Sequence, residues 1–519
     1  MSDTWKAAFT RVPELLAAHV QLSFSALLLA MVICLPLAIW AARSPRVAGV
    51  ALTLASLIQT IPGLALLALF YPLLLGVSAI VGGGISAFGF LPALLALTLY
   101  ALLPILRNAV TGLTGVDPAV KEAADGLGMT RAQKMRLVEA PLAAPTIMAG
   151  IRTAAVWTIG AATLSTTVGQ PSLGDLIFAG LQTQNWTYVL AGCLFSAALA
   201  ISVDVLLGLM ERAIRERRKI LAWVGAAILS AGLIFACAPL LTSKDDVVVI
   251  GAKSFSEQYI LARLIGERLE NAGYKVRYRD GLGSAVVFGA LAGGDVDIYV
   301  DYSGTIWTNQ MKRSDPVPAA QMFEDIAKWT RTQHGVSMAG ALGFENTYAF
   351  AVRADDAAKR AMTTLDDLAR ESPDLVFGTD VEFLERPEWQ MVKDAYPMRF
   401  QDTRSFNPTF MYPALMSREV DVISAFSTDG RIAANGFVVL GDPKNAVPSY
   451  EALLLVSPER RNDDQFMRAV KPLVGAITVE KMREANYMVD RDQDKKTPKQ
   501  AADWLGQNLE NRASDNVSD

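Results

Sequence analysis

An all-α polytopic membrane domain of about six helices followed by an α/β domain of two lobes is the fold that the sequence predicts, and three observations predict it. The charges divide unevenly: residues 1–241 carry 15 Lys+Arg against 10 Asp+Glu, a net +5, and the remainder stands at −9. Residues 47–106 are 60 consecutive positions without a charged side chain, which a water-soluble domain of ordinary composition does not tolerate. After residue 246 short apolar strands alternate with amphipathic helices, the pattern of a mainly parallel sheet covered by helices. A wholly cytosolic protein is therefore excluded. The total of −4, with no basic block, speaks against a nucleic-acid partner.

Helices that cross roughly 30 Å of hydrocarbon need about 20 apolar residues. Such windows fall at residues 19–42, twice within 47–106, and at 153–174, 186–203 and 220–241. Asp3, Lys6, Arg11 and Glu14 make a mixed-charge start ahead of a run too long for a signal-peptide core, so no cleavable signal is expected. Basic residues follow the first span (Arg43, Arg46), the third (Lys121, Arg131, Lys134, Arg136) and the fifth (Arg212, Arg215, Arg217, Arg218, Lys219). Those loops are assigned to the cytoplasm, which leaves everything after the sixth span outside. The transmembrane domain is thus residues 1–219, and residues 220–246 are its last helix and a linker. Pro62 and Gly63 fall inside a span and free backbone carbonyls, which suits a broken helix lining a path or an ordinary proline kink. Asp204, about two turns before the basic end of span five, is expected at the interface. The basic run before span six and Cys237 at its end look like a lipoprotein signal, although Phe235 is too large for the usual pattern, and an uncleaved span is expected.

The loop at 115–143 is the most informative part of this half. Asp117-Pro118 is a helix start and Gly126 with Gly128 a helix end, so a short helix, a turn and a second amphipathic helix are predicted. Glu122-Ala123-Ala124, then Gly128 and Pro141, resembles the EAA loop of ABC-importer permeases, with Val138 and Ala140 where Ile and Leu are usual. The resemblance implies a type I permease whose Glu122, Ala123, Ala124 and Gly128 dock on a separate ABC ATPase subunit. Two copies of this chain, or one with a second permease, would then make the pore in a bacterial inner membrane. No Gly-rich loop ending in Gly-Lys-Ser/Thr occurs, so the chain is not expected to hydrolyse ATP.

In the second half, strands are predicted at 247–251, 275–279 and 296–302. A Ser254–Glu257 capping box opens a helix reaching about residue 271, and a further helix covers 284–292. A similar set at about 375–440 implies two lobes, one of about 247–348 and 453–512, the other of about 352–448. Segments near 348–352 and 453–456 would cross between them. Residues 353–356 read as a solvated turn, 490–499 as a linker and 513–519 as a disordered tail. Five ordered blocks, at 251–258, 300–305, 346–348, 382–387 and 426–431, are together similar to binding proteins of the glycine betaine/carnitine/choline type. This resemblance implies a class II-like binding-protein fold and a ligand site made by Lys253, Asp301, Tyr302, Thr305, Asn346, Tyr348, Arg386, Phe426 and Tyr450.

The chemistry of that set is legible by itself. A quaternary ammonium has no N–H to donate, and aromatic faces hold it, each worth around 0.5 to 2 kcal/mol. Tyr302, Tyr348, Phe426 and Tyr450 stand where the resemblance places a cage, with Phe426 in place of the usual Tyr. Arg386 stands where the family binds a carboxylate, with Lys253 and Thr305 as helpers, while Asp301 could face an ammonium. The expected cargo is a zwitterion such as glycine betaine, carnitine or proline betaine. Ergothioneine or choline would satisfy the same architecture, and a ligand-sensing receptor without transport is the alternative of a different class. Enzymatic turnover is not expected: the chain has two histidines, His19 and His334, and its three cysteines, Cys34, Cys193 and Cys237, lie in apolar stretches. Neither a Ser-His-Asp triad, a metal centre nor a cofactor site is therefore expected.

Overall fold

The computed structural model describes residues 3–81, 87–183, 185–216, 218, 220, 223–225, 227, 230–234, 247–313, 315, 317–406, 408–444, 446–447, 449–491 and 493–515. The chain divides into a helical amino-terminal unit and an α/β carboxyl-terminal unit.

Four described helices are long and apolar enough to cross a membrane: Trp5–Ala41, Phe90–Thr114, Arg131–Val168 and Trp186–Arg215. Pro45–Thr60 and Gly63–Ser78, bent by 100°, count as a fifth when taken as one broken span. The sixth expected span, 220–241 with Phe235 and Cys237, lies largely outside the described residues. Of the two readings open at Pro62, a broken helix is what forms. The N–H of Ile61 turns back to the Ile58 carbonyl at 3.2 Å, and the Tyr100 hydroxyl donates to the freed carbonyl of Ile61. The core of this unit is rich in small side chains, among them Ala30, Ala38, Ala101, Ala109 and Ala154. Small residues let helix backbones approach closely where lipid supplies no hydrophobic drive.

One expectation for this unit is corrected and another gains a partner. The second amphipathic helix and the span at 153–174 are one element, Arg131–Val168. A π-helical turn at Met135–Glu139, in which the Ala140 N–H bonds the Met135 carbonyl, absorbs the register that Pro141 would break. Asp204 has a basic partner that the sequence did not point to. Arg152 holds it through Nε–Oδ1 at 2.5 Å and Nη2–Oδ2 at 2.7 Å and lies 3.6 Å from Glu211.

The second unit contains β1 (Val247–Lys253), β2 (Lys275–Leu282), β3 (Ile298–Tyr302), β4 (Ser337–Glu345), β5 (Tyr348–Arg353), β6 (Val376–Thr379), β7 (Asp402–Ser405), β8 (Val422–Phe426), β9 (Phe437–Val439) and β10 (Glu451–Val456). One lobe has strand order β2-β1-β3-β10-β4 and the other β7-β6-β8-β5-β9. The sheets are mixed rather than mainly parallel. Within each lobe the strands joined by local crossovers are parallel: β1 to β2 and β3, and β6 to β7 and β8. The strand that arrives from the other lobe, β10 or β5, enters in the opposite sense and pairs antiparallel on both sides. Both crossing strands are apolar runs, buried along nearly their whole length, as central strands must be.

Three further expectations change. The helix Ser256–Asn271 starts on Phe255 with no side-chain cap, because Glu257 turns inward and its carboxylate is occupied elsewhere. Arg353 is buried rather than solvated: its fork donates to the Leu415 and Val420 carbonyls at 2.7 and 2.6 Å and meets Asp421 at 2.9 Å. The last helix, Pro498–Asp515, takes in residues 513–515 of the tail expected to be disordered, and 516–519 lie outside the described residues. Ala501, Ala502 and Leu505 bury its inner face in the contact it makes with Ser256–Asn271.

Candidate functional site

A cavity of about 130 Å³ lies between the lobes at the carboxyl ends of parallel strands, where α/β sheets collect ligands. β1 and β3 deliver Lys253 and Tyr302 from one lobe, and β6 and β8 deliver Asp380 and Phe426 from the other. Tyr348 opens one crossing strand and Tyr450 immediately precedes the other. Arg386 sits at the junction of two short helices, Val381–Glu385 and Pro387–Ala395, in extended conformation that suits a residue before proline. Of the nine residues named from sequence, Lys253, Tyr302, Thr305, Asn346, Tyr348, Arg386, Phe426 and Tyr450 line this cavity.

The aromatic rings form one continuous wall. Tyr302 faces Phe255 at 6.2 Å between centroids, Phe255 faces Phe426 at 6.0 Å, Phe426 meets Tyr348 at 4.9 Å, and Tyr348 meets Tyr450 edge-on at 5.7 Å. Gly304 makes this possible, because a Cβ there would overlap the Tyr450 ring. Phe255, missing from the sequence-derived cage, stood in plain view in the 251–258 block; only the fold shows that it bridges Tyr302 and Phe426.

Asp301 is the residue that departs from expectation. It is fully buried and off the cavity wall; Oδ1 takes the Lys253 ammonium and the Tyr302 N–H (2.8 Å), and Oδ2 takes the Tyr299 hydroxyl at 2.6 Å. The short reach of an aspartate on β3 keeps it with its neighbours in the sheet, so it does not face a ligand's ammonium. Lys253 in turn carries a neutralised charge, 5.2 Å from the centre of the Tyr302 ring.

Sequence reasoning also missed most of the polar lining. Glu257 accepts from Tyr302, Asn346, Thr428 and Asn486, while burial pushes its carboxyl up against those four hydrogen bonds. Burial and the adjacent Glu257 push the Tyr302 hydroxyl well above its ordinary range, so it stays protonated as a donor. Glu388, fully buried, accepts from the Tyr450 hydroxyl and from Thr308 at 3.0 Å, and stands 3.7 Å from Arg386. The Arg386 guanidinium lies 5.3 Å from the centre of the Tyr348 ring, so cation-binding and anion-binding groups share one wall. At the far side Arg431 pairs with Asp429 at 2.6 Å, and Ser256 donates to Asp490 at 2.6 Å. Burial and then the charge of Asp429 push the Asp490 carboxyl up to about 7. Thr428, Asp429 and Arg431 lie in the 426–431 block, whereas no local sequence pattern marks Asn486 or Asp490.

The loop in the helical unit is equally well formed. Asp117 caps the helix Pro118–Gly126 by accepting from the Ala119 N–H at 2.8 Å. Gly128, at φ +73°, takes a left-handed turn that favours glycine, and Thr130 with Gln133 caps the next helix. Glu122 and Ala123 are exposed, Ala124 is buried, and Leu127 is 78 % exposed, an apolar tip beside a charged face. Lys134 holds Asp125 at 2.6 Å and ties the two helices together.

Comparison with known proteins places this architecture. Residues 246–507 match the substrate binding domain of the ABC-type glycine betaine transport system, and residues 34–216 match the binding-protein-dependent transport system inner membrane component. The ergothioneine transport permease/ergothioneine binding protein EgtU of Helicobacter pylori is 31 % identical over 457 residues, covering 85 % of this chain and 80 % of that one. The choline transport system permease protein OpuBB of Bacillus subtilis is 43 % identical over 194 residues, 37 % of this chain and 84 % of that protein. A solved glycine betaine/carnitine/choline ABC transporter structure is 29 % identical with a TM-score of 0.45, covering 50 % of this chain and 98 % of that one. The chain belongs to the glycine betaine/carnitine/choline family of ABC importers, with permease and substrate-binding domain fused. It is a transport component rather than an enzyme, a multi-pass inner-membrane permease with an extracytoplasmic binding domain, and its family implies a cognate ABC ATPase and a small amine ligand.

Proposed function

We propose that this chain imports a small betaine, a molecule with a quaternary ammonium at one end and a carboxylate at the other. The observation that carries the reading is the shared wall: a continuous run of aromatic faces and the Arg386 fork line one cavity. Ergothioneine, the trimethylated betaine of 2-thiohistidine, is favoured over glycine betaine, carnitine and proline betaine. The relative named for it matches both halves of the chain, whereas the choline permease matches one half. The buried Asn486 Oδ1 on the cavity wall, which has no hydrogen-bond partner among the described residues, also offers an acceptor that an imidazole N–H can use and that glycine betaine would leave empty. Calorimetry on the purified full chain should rank ergothioneine above glycine betaine, all betaines above choline, and unmethylated glycine last. Tight binding of an ordinary amino acid would defeat the assignment.

Energy comes from a separate ATPase, docked on the exposed face of Glu122 and Ala123 and the turn at Gly128, with two copies of this chain forming the pore. Replacing Glu122 and Gly128 by bulky basic residues should abolish co-purification with that ATPase. An interaction that survives both changes would place the docking surface elsewhere.

A further inference from the structure

Glu257 is a buried carboxylate whose charge nothing among the described residues balances. It is 2 % exposed and lines the cavity. Oε1 accepts from the Tyr302 hydroxyl at 2.5 Å and from Asn346 at 3.0 Å; Oε2 accepts from the Thr428 hydroxyl at 2.5 Å and from Asn486 at 2.9 Å. All four donors are neutral. Among the described residues no Lys or Arg forms an ion pair with it: Lys253 is bonded to Asp301, and Arg431 to Asp429. Removing an ionised carboxylate from water costs several kcal/mol, and hydrogen bonds alone return only part of that. Four neutral donors from four separate stretches of the chain converge to hold a charge here, and none of the described residues supplies its partner.

We propose that Glu257 is the counter-charge of the aromatic cavity, the residue that makes it select a cation. The inference rests on the quaternary-ammonium reading above. A carboxylate offers about four acceptor positions, and here all four are taken, so a primary ammonium would find no lone pair free for its N–H groups. A quaternary ammonium asks for none: it cancels the charge across the rings and leaves the four hydrogen bonds intact. Tyr302 carries part of the effect, because a phenol that donates to a carboxylate gains electron density on the ring face that meets the cation. Glu257 acts through the field and through Tyr302, as a positioning and specificity residue.

The test compares each cation with its carbon isostere, which has the same shape without the charge: glycine betaine with tert-butylacetate, and choline with tert-butylethanol. Calorimetry on the full chain should show wild type preferring each cation. Glu257→Gln should cut that preference about tenfold or more by weakening the cation alone, the size expected when one member of a close charge pair is removed. Tyr302→Phe, which keeps the ring and the carboxylate but breaks the link between them, should cut it by a smaller factor. Equal loss for cation and isostere would mean that Glu257 serves only to hold the lobes together, and would overturn the proposal. So would a wild-type preference near one, a result readable even where a variant fails to fold. Failure of wild type to bind any quaternary ligand would instead bring down the substrate reading itself.

Discussion

Asp301 and Glu257 are two buried carboxylates in the same lobe, both bonded to Tyr302, and they have opposite fates. Asp301 is bonded through Oδ1 to the Tyr302 N–H and is neutralised by Lys253, out of reach of the cavity. Glu257 touches the Tyr302 hydroxyl, faces the cavity and, among the described residues, is held by neutral hydrogen-bond donors. The difference teaches that a buried acid is read by what balances it. One is satisfied inside the protein and is structural; the other is satisfied fully when something from outside arrives.

That contrast breaks most sharply through stability. Asp301→Asn leaves Lys253 cationic and buried without its partner, a loss of about 3 to 5 kcal/mol, whereas Lys253→Met with Asp301→Asn should recover most of it. Thermal unfolding of the full chain reads both. If the single and the double variant melt alike, the pair contributes nothing and Asp301 is no longer the structural acid of the two.

Arg386 sharpens the comparison from the other end of the ligand. Arg386→Ala should weaken carboxylate ligands by roughly 2 to 5 kcal/mol and spare choline, because only the former lose a desolvated partner. Choline would then lose its disadvantage in calorimetry. Equal loss for choline and glycine betaine would show that the guanidinium serves the cavity wall and not the ligand's anion.

Asp490 gives the mildest effect, spread over a range of pH. Its ordinary value is near 4 and burial holds it up at about 7. Between those values the unfolded chain releases this proton and the folded chain keeps it, so the folded state binds more protons and stability falls as pH rises. The stabilisation is fully present below the ordinary value and is lost through about 7, at no more than about 1.4 kcal/mol per pH unit. Unfolding temperatures of Asp490→Asn against wild type should converge at low pH and separate, with the variant higher, above neutrality. A difference that does not change with pH would show that Asp490 is ionised throughout.

Legibility in sequence followed reach along the chain. The apolar windows, the helix start at Asp117-Pro118 and the aromatic and guanidinium residues inside the five family-like blocks were readable, because each is written in a few consecutive residues. The strand directions were not. A mainly parallel sheet is what local strand-helix-strand repetition implies, and it holds for β1, β2 and β3; the sense of β10 is set by its arrival from the other lobe. The helix from Arg131 to Val168 was hidden by Pro141, since a π turn that absorbs a proline leaves no residue pattern of its own.

Composition and spacing by themselves determined that an apolar, net-positive membrane half precedes an acidic α/β half, and which aromatic residues and which arginine were available to a ligand. Tertiary structure alone decided that Phe255 joins the ring wall, that Asp301 belongs to Lys253, and that Glu257 gathers Tyr302, Asn346, Thr428 and Asn486 across as many as 229 positions of sequence. The physical reason is that whether a charge is balanced depends on neighbours in space. Chain proximity had paired Glu257 with Ser254 in a capping box, and the donors that actually hold it come from a strand, a helix and two connections that meet only when both lobes are folded.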